Sequence, residues 1–227
     1  MTTNTQVPVA LVTGGTAGLG LALTRALAAD GWRVITDGRN EGRIKEADFP
    51  AAVTAIVGDI TDADHRSALV NAVWEQGRLD LLVHNASTLG PLPMRLLAEV
   101  SIAEMAEAWR TNVGAPLVLT GELLPWLRPG ESTLVSISSD AAVNHYETWG
   151  LYGAGKAALD HVTLTYGAET GVAAYAIDPG DMRTQMHQDA FPGEDISDRP
   201  LPETVVLSLL RLLDARPESG RYQAGDF

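Results

Sequence analysis

Short runs of consecutive apolar residues alternate along the chain with longer segments whose apolar positions recur every three or four residues. The first run, Val7 to Thr13, enters a glycine-dense turn, and the alanine- and leucine-rich segment that follows stops at Gly31. A run apolar at every position suits a strand buried on both faces, and the longer period suits a helix closed by glycine. Further runs stand at Trp32 to Thr36, Val53 to Val57, Leu79 to Val83, Ser132 to Ser138 and Val172 to Ile177. Between them the pattern predicts a helix over Asp62 to Gln76 capped by Thr61, and another from Leu151 onward. A long helical stretch from Ser101 to Arg128 is expected to break at Gly114 and Pro116. Strand and helix in regular alternation give an α/β fold, a doubly wound parallel sheet flanked by helices. No repeat or linker divides residues 1–227, so the expectation is one domain, with residues 1–6 a disordered lead-in.

Composition narrows the function. A formal net charge of −13 leaves no basic stripe to neutralise phosphates, which excludes a nucleic-acid partner. No apolar run approaches the length of a membrane span, and MTTNTQVPVA lacks the basic start and apolar core of a signal peptide. A cytoplasmic protein is the expectation. With no cysteine there is no thiolate chemistry, and no metal site is implied.

Two stretches carry chemistry. In the turn Thr13 to Gly20 (TGGTAGLG), strand, glycines and helix follow in the order that aims backbone N–H groups and a helix N-terminus at an anion. Gly14 permits the tight turn, and Gly18 and Gly20 permit close approach. The second run ends in Asp37-Gly38-Arg39-Asn40, where such a fold reads the adenosine ribose. Asp37 suits a 2′-hydroxyl or an ordinary turn; Arg39, beside the open space at Gly38, suits a 2′-phosphate or solvent. Farther on, Ser139 precedes Tyr152 by thirteen residues, and Lys156 follows Tyr152 by four, one helical turn away. An ammonium beside a phenol lowers the phenol's pKa, and a serine hydroxyl can hold the substrate oxygen while the tyrosine moves a proton. Asn112 lies inside the interrupted helical stretch, where it could hold an exposed carbonyl or a water.

Taken together these motifs resemble the short-chain dehydrogenase/reductase family, with its single-domain Rossmann-type fold. TGGTAGLG fits the family's TGxxxGxG turn, GDIT places Asp59 and Ile60 at the adenine, and HNAS keeps Asn85 and Ala86 of the usual NNAG. Asn112, Ser139, Tyr152 and Lys156 match the family's catalytic tetrad. DPGDMRT supplies Pro179, Gly180, Met182 and Thr184, placed to hold the nicotinamide and phosphates. The resemblance implies cofactor contacts at Gly14, Thr16, Gly18, Leu19 and Gly20, at Arg39, and at Tyr152 and Lys156. It implies NADP(H) as the preferred cofactor, with NAD(H) possible, because Gly38-Arg39 stands where NAD-using members place aspartate. It also implies a homodimer or homotetramer. The ending SGRYQAGDF is read as a shortened C-terminus that stops before the family's last strand.

The expected activity is interconversion of a carbonyl compound and its alcohol. A non-catalytic dinucleotide-binding protein, or a dehydratase or epimerase on the same fold, remains the alternative. Residues 185–200 are expected to form a flap over the substrate. His145, Trp149 and Met186 are the expected substrate contacts, within a lining that also draws on Leu92, Met94, Tyr146, His187 and Phe191.

Overall fold

A computed structural model of the chain describes residues 7–227. The expectation for residues 1–6 falls outside these. Seven strands form one parallel sheet in the order β3-β2-β1-β4-β5-β6-β7. They are β1 (Val9–Val12), β2 (Arg33–Gly38), β3 (Val53–Val57), β4 (Leu81–His84), β5 (Thr133–Ile137), β6 (Ala173–Asp178) and β7 (Gly220–Gln223). The helices are α1 (Gly18–Ala29), α2 (Glu41–Glu46), α3 (Ala63–Gln76), α4 (Ile102–Trp109), α5 (Ala115–Leu123), α6 (Gly150–Thr170), α7 (Gln185–Ala190) and α8 (Pro202–Ala215).

The two-residue period of a strand sorts the apolar runs onto two faces. Ala10, Val12, Val34 and Val83 face α1 and α8, where Leu19, Leu23, Leu27, Val206, Leu209 and Leu212 close one core. Val9, Leu11, Ile35 and Leu82 face the opposite way, onto Leu69 and Val73 of α3 and Leu119 and Leu123 of α5. The strand order reverses between β1 and β4, and open parallel sheets bind ligands beyond the strand ends at such a point.

Four expectations change in detail. β2 runs on through Asp37 and Gly38 because these pair with Ile56 and Val57 of β3. The cap of α3 is Asp62, which accepts from the Asp64 N–H at 2.9 Å, while the Thr61 hydroxyl is spent on Asp59. The helical stretch breaks before Gly114, in a π-helical turn at Arg110–Gly114, and Pro116 sits harmlessly in the first turn of α5. The chain also does not stop short of a last strand: Gly220–Gln223 pairs with β6 as β7. Tyr222 of β7 packs edge-on to Tyr175 and Phe227, which supplies apolar cover at the sheet edge. Among the described residues, no helix is long and apolar enough to cross a membrane.

Candidate active site

The C-terminal ends of β1, β2, β4, β5 and β6 open on a cavity of about 1130 Å³. At its floor the chain leaves β1 through Gly14, whose φ of +68° only glycine adopts freely. A side chain there would also strike Ala86, its Cβ falling 2.9 Å from the Ala86 Cα. Asn85 braces the turn: its amide donates to the carbonyls of Thr13 and Gly14 at 2.8 and 3.1 Å, and its own N–H is taken by the Thr13 hydroxyl. Gly14, Thr16, Gly18 and Leu19 line the cavity, as do Ile60, Ala86, Pro179, Gly180, Met182 and Thr184. Gly20 is not on its wall; it lets α1 pack against the Asn85 side chain. α1 starts at Gly18 on the cavity wall, so a helix N-terminus stands where a pyrophosphate would bind.

Asp37 resolves one open choice. Its side chain faces α3, accepts from the Gly14 N–H at 2.6 Å and lies 2.9 Å from His65 Nε2. With 2 % of its surface exposed and both oxygens engaged, it serves neither a ribose nor a simple turn. It ties β2 and α3 to the glycine turn. Gly58 makes room for the imidazole, since a Cβ there would lie 2.1 Å from His65 Nδ1. Arg39 is the opposite case, an exposed guanidinium on the cavity wall 3.9 Å from Asp59. Arg43 of α2 lines the same end and was not identifiable from the sequence, where it is one arginine in a polar run. Gly38 carries no side chain between them; a Cβ would meet Thr16 at 2.5 Å.

Ser139, Tyr152 and Lys156 meet at the other end of the cavity. Ser139 follows β5 and starts a tight turn, its hydroxyl accepting from the Ala141 N–H at 3.2 Å. Tyr152 and Lys156 lie one turn apart on α6, both buried, with Lys156 Nζ 5.6 Å from the Tyr152 ring centre. α6 comes this close because Gly153 lacks a side chain; a Cβ there would fall 2.4 Å from the Ala141 carbonyl oxygen. Lys156 Nζ donates to the Ile137 carbonyl at 2.7 Å, and burial lowers its pKa to about 8, with Asp160 acting the other way.

The phenol departs from expectation. Burial raises the Tyr152 pKa above the ordinary phenol range; Ser139 and Ser87 pull it down by hydrogen bonding, and Asp178 and Asp140 push it up by charge. Burial is the largest of these influences, and Tyr152 is a protonated acid at neutral pH.

Asn112 takes up a backbone carbonyl. Its amide donates to the Thr88 carbonyl at 2.8 Å, and its Oδ1 accepts from the Thr88 N–H at 2.9 Å and the Ser87 hydroxyl at 3.2 Å. The side chain braces the wall after β4. His84, a departure in HNAS, is a buried neutral imidazole bonded to the Thr120 hydroxyl, with burial lowering its pKa to about 3. A residue missed from the sequence is Arg221 of β7, which donates to the Ser139 carbonyl at 2.9 Å and approaches Asp160 and Asp178 at 3.3 and 3.5 Å. It stiffens the Ser139 backbone from a strand that the sequence reading did not anticipate.

Toward the substrate end, Trp149 and Met186 line the cavity, and His145 does not; it is exposed on the loop before α6. Trp149 packs edge-on to Tyr152 at 5.9 Å and against Phe191 at 5.5 Å. Residues of α7 line this end, and the turns that follow α7 are held by the Arg183 N–H on the Pro200 carbonyl and by the Arg183 guanidinium on the Ser197 carbonyl. Among the described residues no cluster of His, Asp or Glu is arranged to hold a metal.

Comparison with known proteins gives the same picture. Residues 8–195 match the family model described as short chain dehydrogenase. The chain is 33% identical over 182 residues to a serine 3-dehydrogenase of Agrobacterium fabrum, covering 77% of this chain and 72% of that protein. It is 31% identical over 194 residues to the benzil reductase ((S)-benzoin forming) of Saccharomyces cerevisiae, covering 80% and 74%. Among solved structures, a short chain dehydrogenase from Shigella flexneri complexed with NADP superposes with a TM-score of 0.87 at 27% identity, over 96% of this chain and 97% of that one. With the fold, the glycine turn and the Ser139–Tyr152–Lys156 arrangement in place, the chain belongs to the short-chain dehydrogenase family of oxidoreductases.

Proposed function

We propose that the protein is an NADP(H)-dependent oxidoreductase that interconverts a carbonyl compound and its alcohol. The observation that carries this reading is one continuous cavity with the Arg39 and Arg43 guanidinium groups at one end and a buried Tyr152 beside Ser139 and Lys156 at the other. The nicotinamide cofactor supplies the hydride to the carbonyl carbon, so that ketone, NADPH and a proton give alcohol and NADP⁺. Ser139 holds the substrate oxygen by a hydrogen bond. Tyr152, kept protonated by burial, gives its proton to that oxygen as negative charge develops there, and in oxidation takes one back. Lys156, with a pKa of about 8, is mostly charged at neutral pH and stabilises the phenolate left behind. Asn112 and Arg221 fix the two walls, through Thr88 and Ser139, between which the substrate lies.

The cofactor preference rests on Arg39 and Arg43 and on the engagement of both Asp37 carboxylate oxygens, by the Gly14 N–H and by His65. A neighbour complexed with NADP supports it. A fluorescence titration with NADPH and NADH tests it. A charge-assisted contact to phosphate is worth about 1.5–3 kcal/mol, so NADPH binds roughly 10- to 100-fold more tightly and Arg39→Ala or Arg43→Ala erodes the difference. Equal affinity for both cofactors in the unmodified protein overturns the preference.

We also infer self-association through α4 and α5, where Ile102, Met105, Leu117 and Val118 are exposed. Sedimentation equilibrium that finds only monomer overturns this.

A further inference from the structure

The cavity wall carries several carboxylates, and all but one are answered by nitrogen. Asp37 faces His65 and the Gly14 N–H, Glu41 faces Lys45, Asp59 faces Arg39, Asp178 faces Arg221, Asp181 faces Arg199, and Asp189 faces the Gln185 amide. Asp140 is the exception. Its oxygens accept from two hydroxyls, Ser139 at 3.1 Å and Tyr146 at 2.7 Å, and among the described residues no cationic side chain pairs with it. It follows Ser139 directly, lines the cavity and is only half-buried. Two hydrogen bonds leave lone pairs on a carboxylate that can accept about four, and its charge is uncompensated.

The surroundings suit a cation. Tyr146, whose hydroxyl is on Asp140, places its ring 6.3 Å from Trp149, and Trp149 lies on the cavity wall against Tyr152. An unpaired carboxylate that shares a cavity wall with an aromatic ring is chemistry that recognises an alkylammonium group, through charge and through the ring quadrupole. The same cavity carries its guanidinium groups at the far end, on Arg39 and Arg43, and the ammonium near Tyr152, on Lys156, is buried and donates to the Ile137 carbonyl.

We propose that the substrate carries a cationic nitrogen near the reacting carbonyl or alcohol carbon, held by Asp140 and the Trp149 ring while Ser139 and Tyr152 engage the oxygen. This rests on the oxidoreductase reading for the oxygen and on Asp140 for the nitrogen, and the two are separable by experiment. The probes are 1,1-dimethyl-4-oxopiperidinium, which is permanently charged, and its neutral isostere 4,4-dimethylcyclohexanone. Calorimetry on the NADPH-loaded protein gives binding, and the loss of NADPH absorbance gives turnover.

The charged ketone is expected to bind at least about tenfold more tightly than the neutral one, a difference of roughly 1.4 kcal/mol. Asp140→Asn is expected to remove most of that ratio and Asp140→Glu to keep part of it. The ratio is the readout because any disturbance of Ser139 acts on both ketones alike. Equal binding, preference for the neutral ketone, binding of neither, or a ratio unmoved by Asp140→Asn overturns the proposal. If the charged ketone binds with the expected preference and NADPH is not consumed, the nitrogen site stands and the reductase reading fails. If NADPH is consumed with the neutral ketone preferred, the reverse holds.

Discussion

Replacing Lys156 by methionine removes a buried charge from the site, and the structure predicts that the protein without ligands becomes more stable for it. Lys156 is 2 % exposed, and burial lowers its pKa from 10.5 to about 8. A base whose pKa falls on folding binds fewer protons in the folded state between those two values, so its contribution to stability improves as pH rises through that window. Below it the cost is fully present. Linkage between about 8 and about 10.5 puts that cost at about 3 kcal/mol at pH 7, about 2 at pH 9 and under about 1 at pH 10. Methionine fills nearly the same volume but leaves the Ile137 carbonyl without its donor, a loss of about 1 kcal/mol at any pH. The net expectation is a gain of about 2 kcal/mol at pH 7 that vanishes near about pH 10. Urea denaturation followed by circular dichroism, at pH 7, 9 and 10 and constant ionic strength, measures it. A variant less stable than the parent at pH 7, or a gain that grows with pH, would refute the reasoning. Activity should fall at the same time, which is the familiar exchange of stability for a strained functional group.

Further tests address the supports of the site. Breaking the buried Asp37–His65 contact with His65→Leu leaves the buried carboxylate with the Gly14 N–H alone; it should cost about 1–3 kcal/mol and weaken NADPH binding, whereas His65→Gln, which still donates, should recover most of both. Chemical denaturation and cofactor titration of the two variants decide this, and identical behaviour of both with the parent would contradict it. Gly153→Ala should destabilise by about 1–3 kcal/mol through its clash with the Ala141 carbonyl, even though alanine is the better helix former. A raised melting temperature would show that α6 does not press on the Ser139 turn.

The sequence already exposes the alternating strand and helix order, the glycine turn, and the Tyr152–Lys156 pair one helical turn apart. Local signals suffice for these because the apolar period and the glycines act over a few residues. What it conceals depends on partners far along the chain. Asp37 is indistinguishable from a loop carboxylate until β3 extends β2 through it and His65, 28 residues later, arrives from α3. β7 has no apolar run; four residues become a strand because β6 offers an open edge and Arg221 finds Asp160 and Asp178. The raised pKa of Tyr152 is concealed for a different reason: helical spacing gives the distance to Lys156, but the depth of burial that raises it is a property of the packed whole.

The most direct test of the central claim is Tyr152→Phe, assayed by steady-state consumption of NADPH over a panel of ketones that includes the two described above, alongside cofactor titration. Loss of the acid should lower kcat by about 10²- to 10⁴-fold, with NADPH affinity within about twofold of the parent, because a phenylalanine ring keeps the packing and removes only the proton. Turnover retained at the parent rate would contradict the assignment of Tyr152 as the acid, and with it the proposed chemistry.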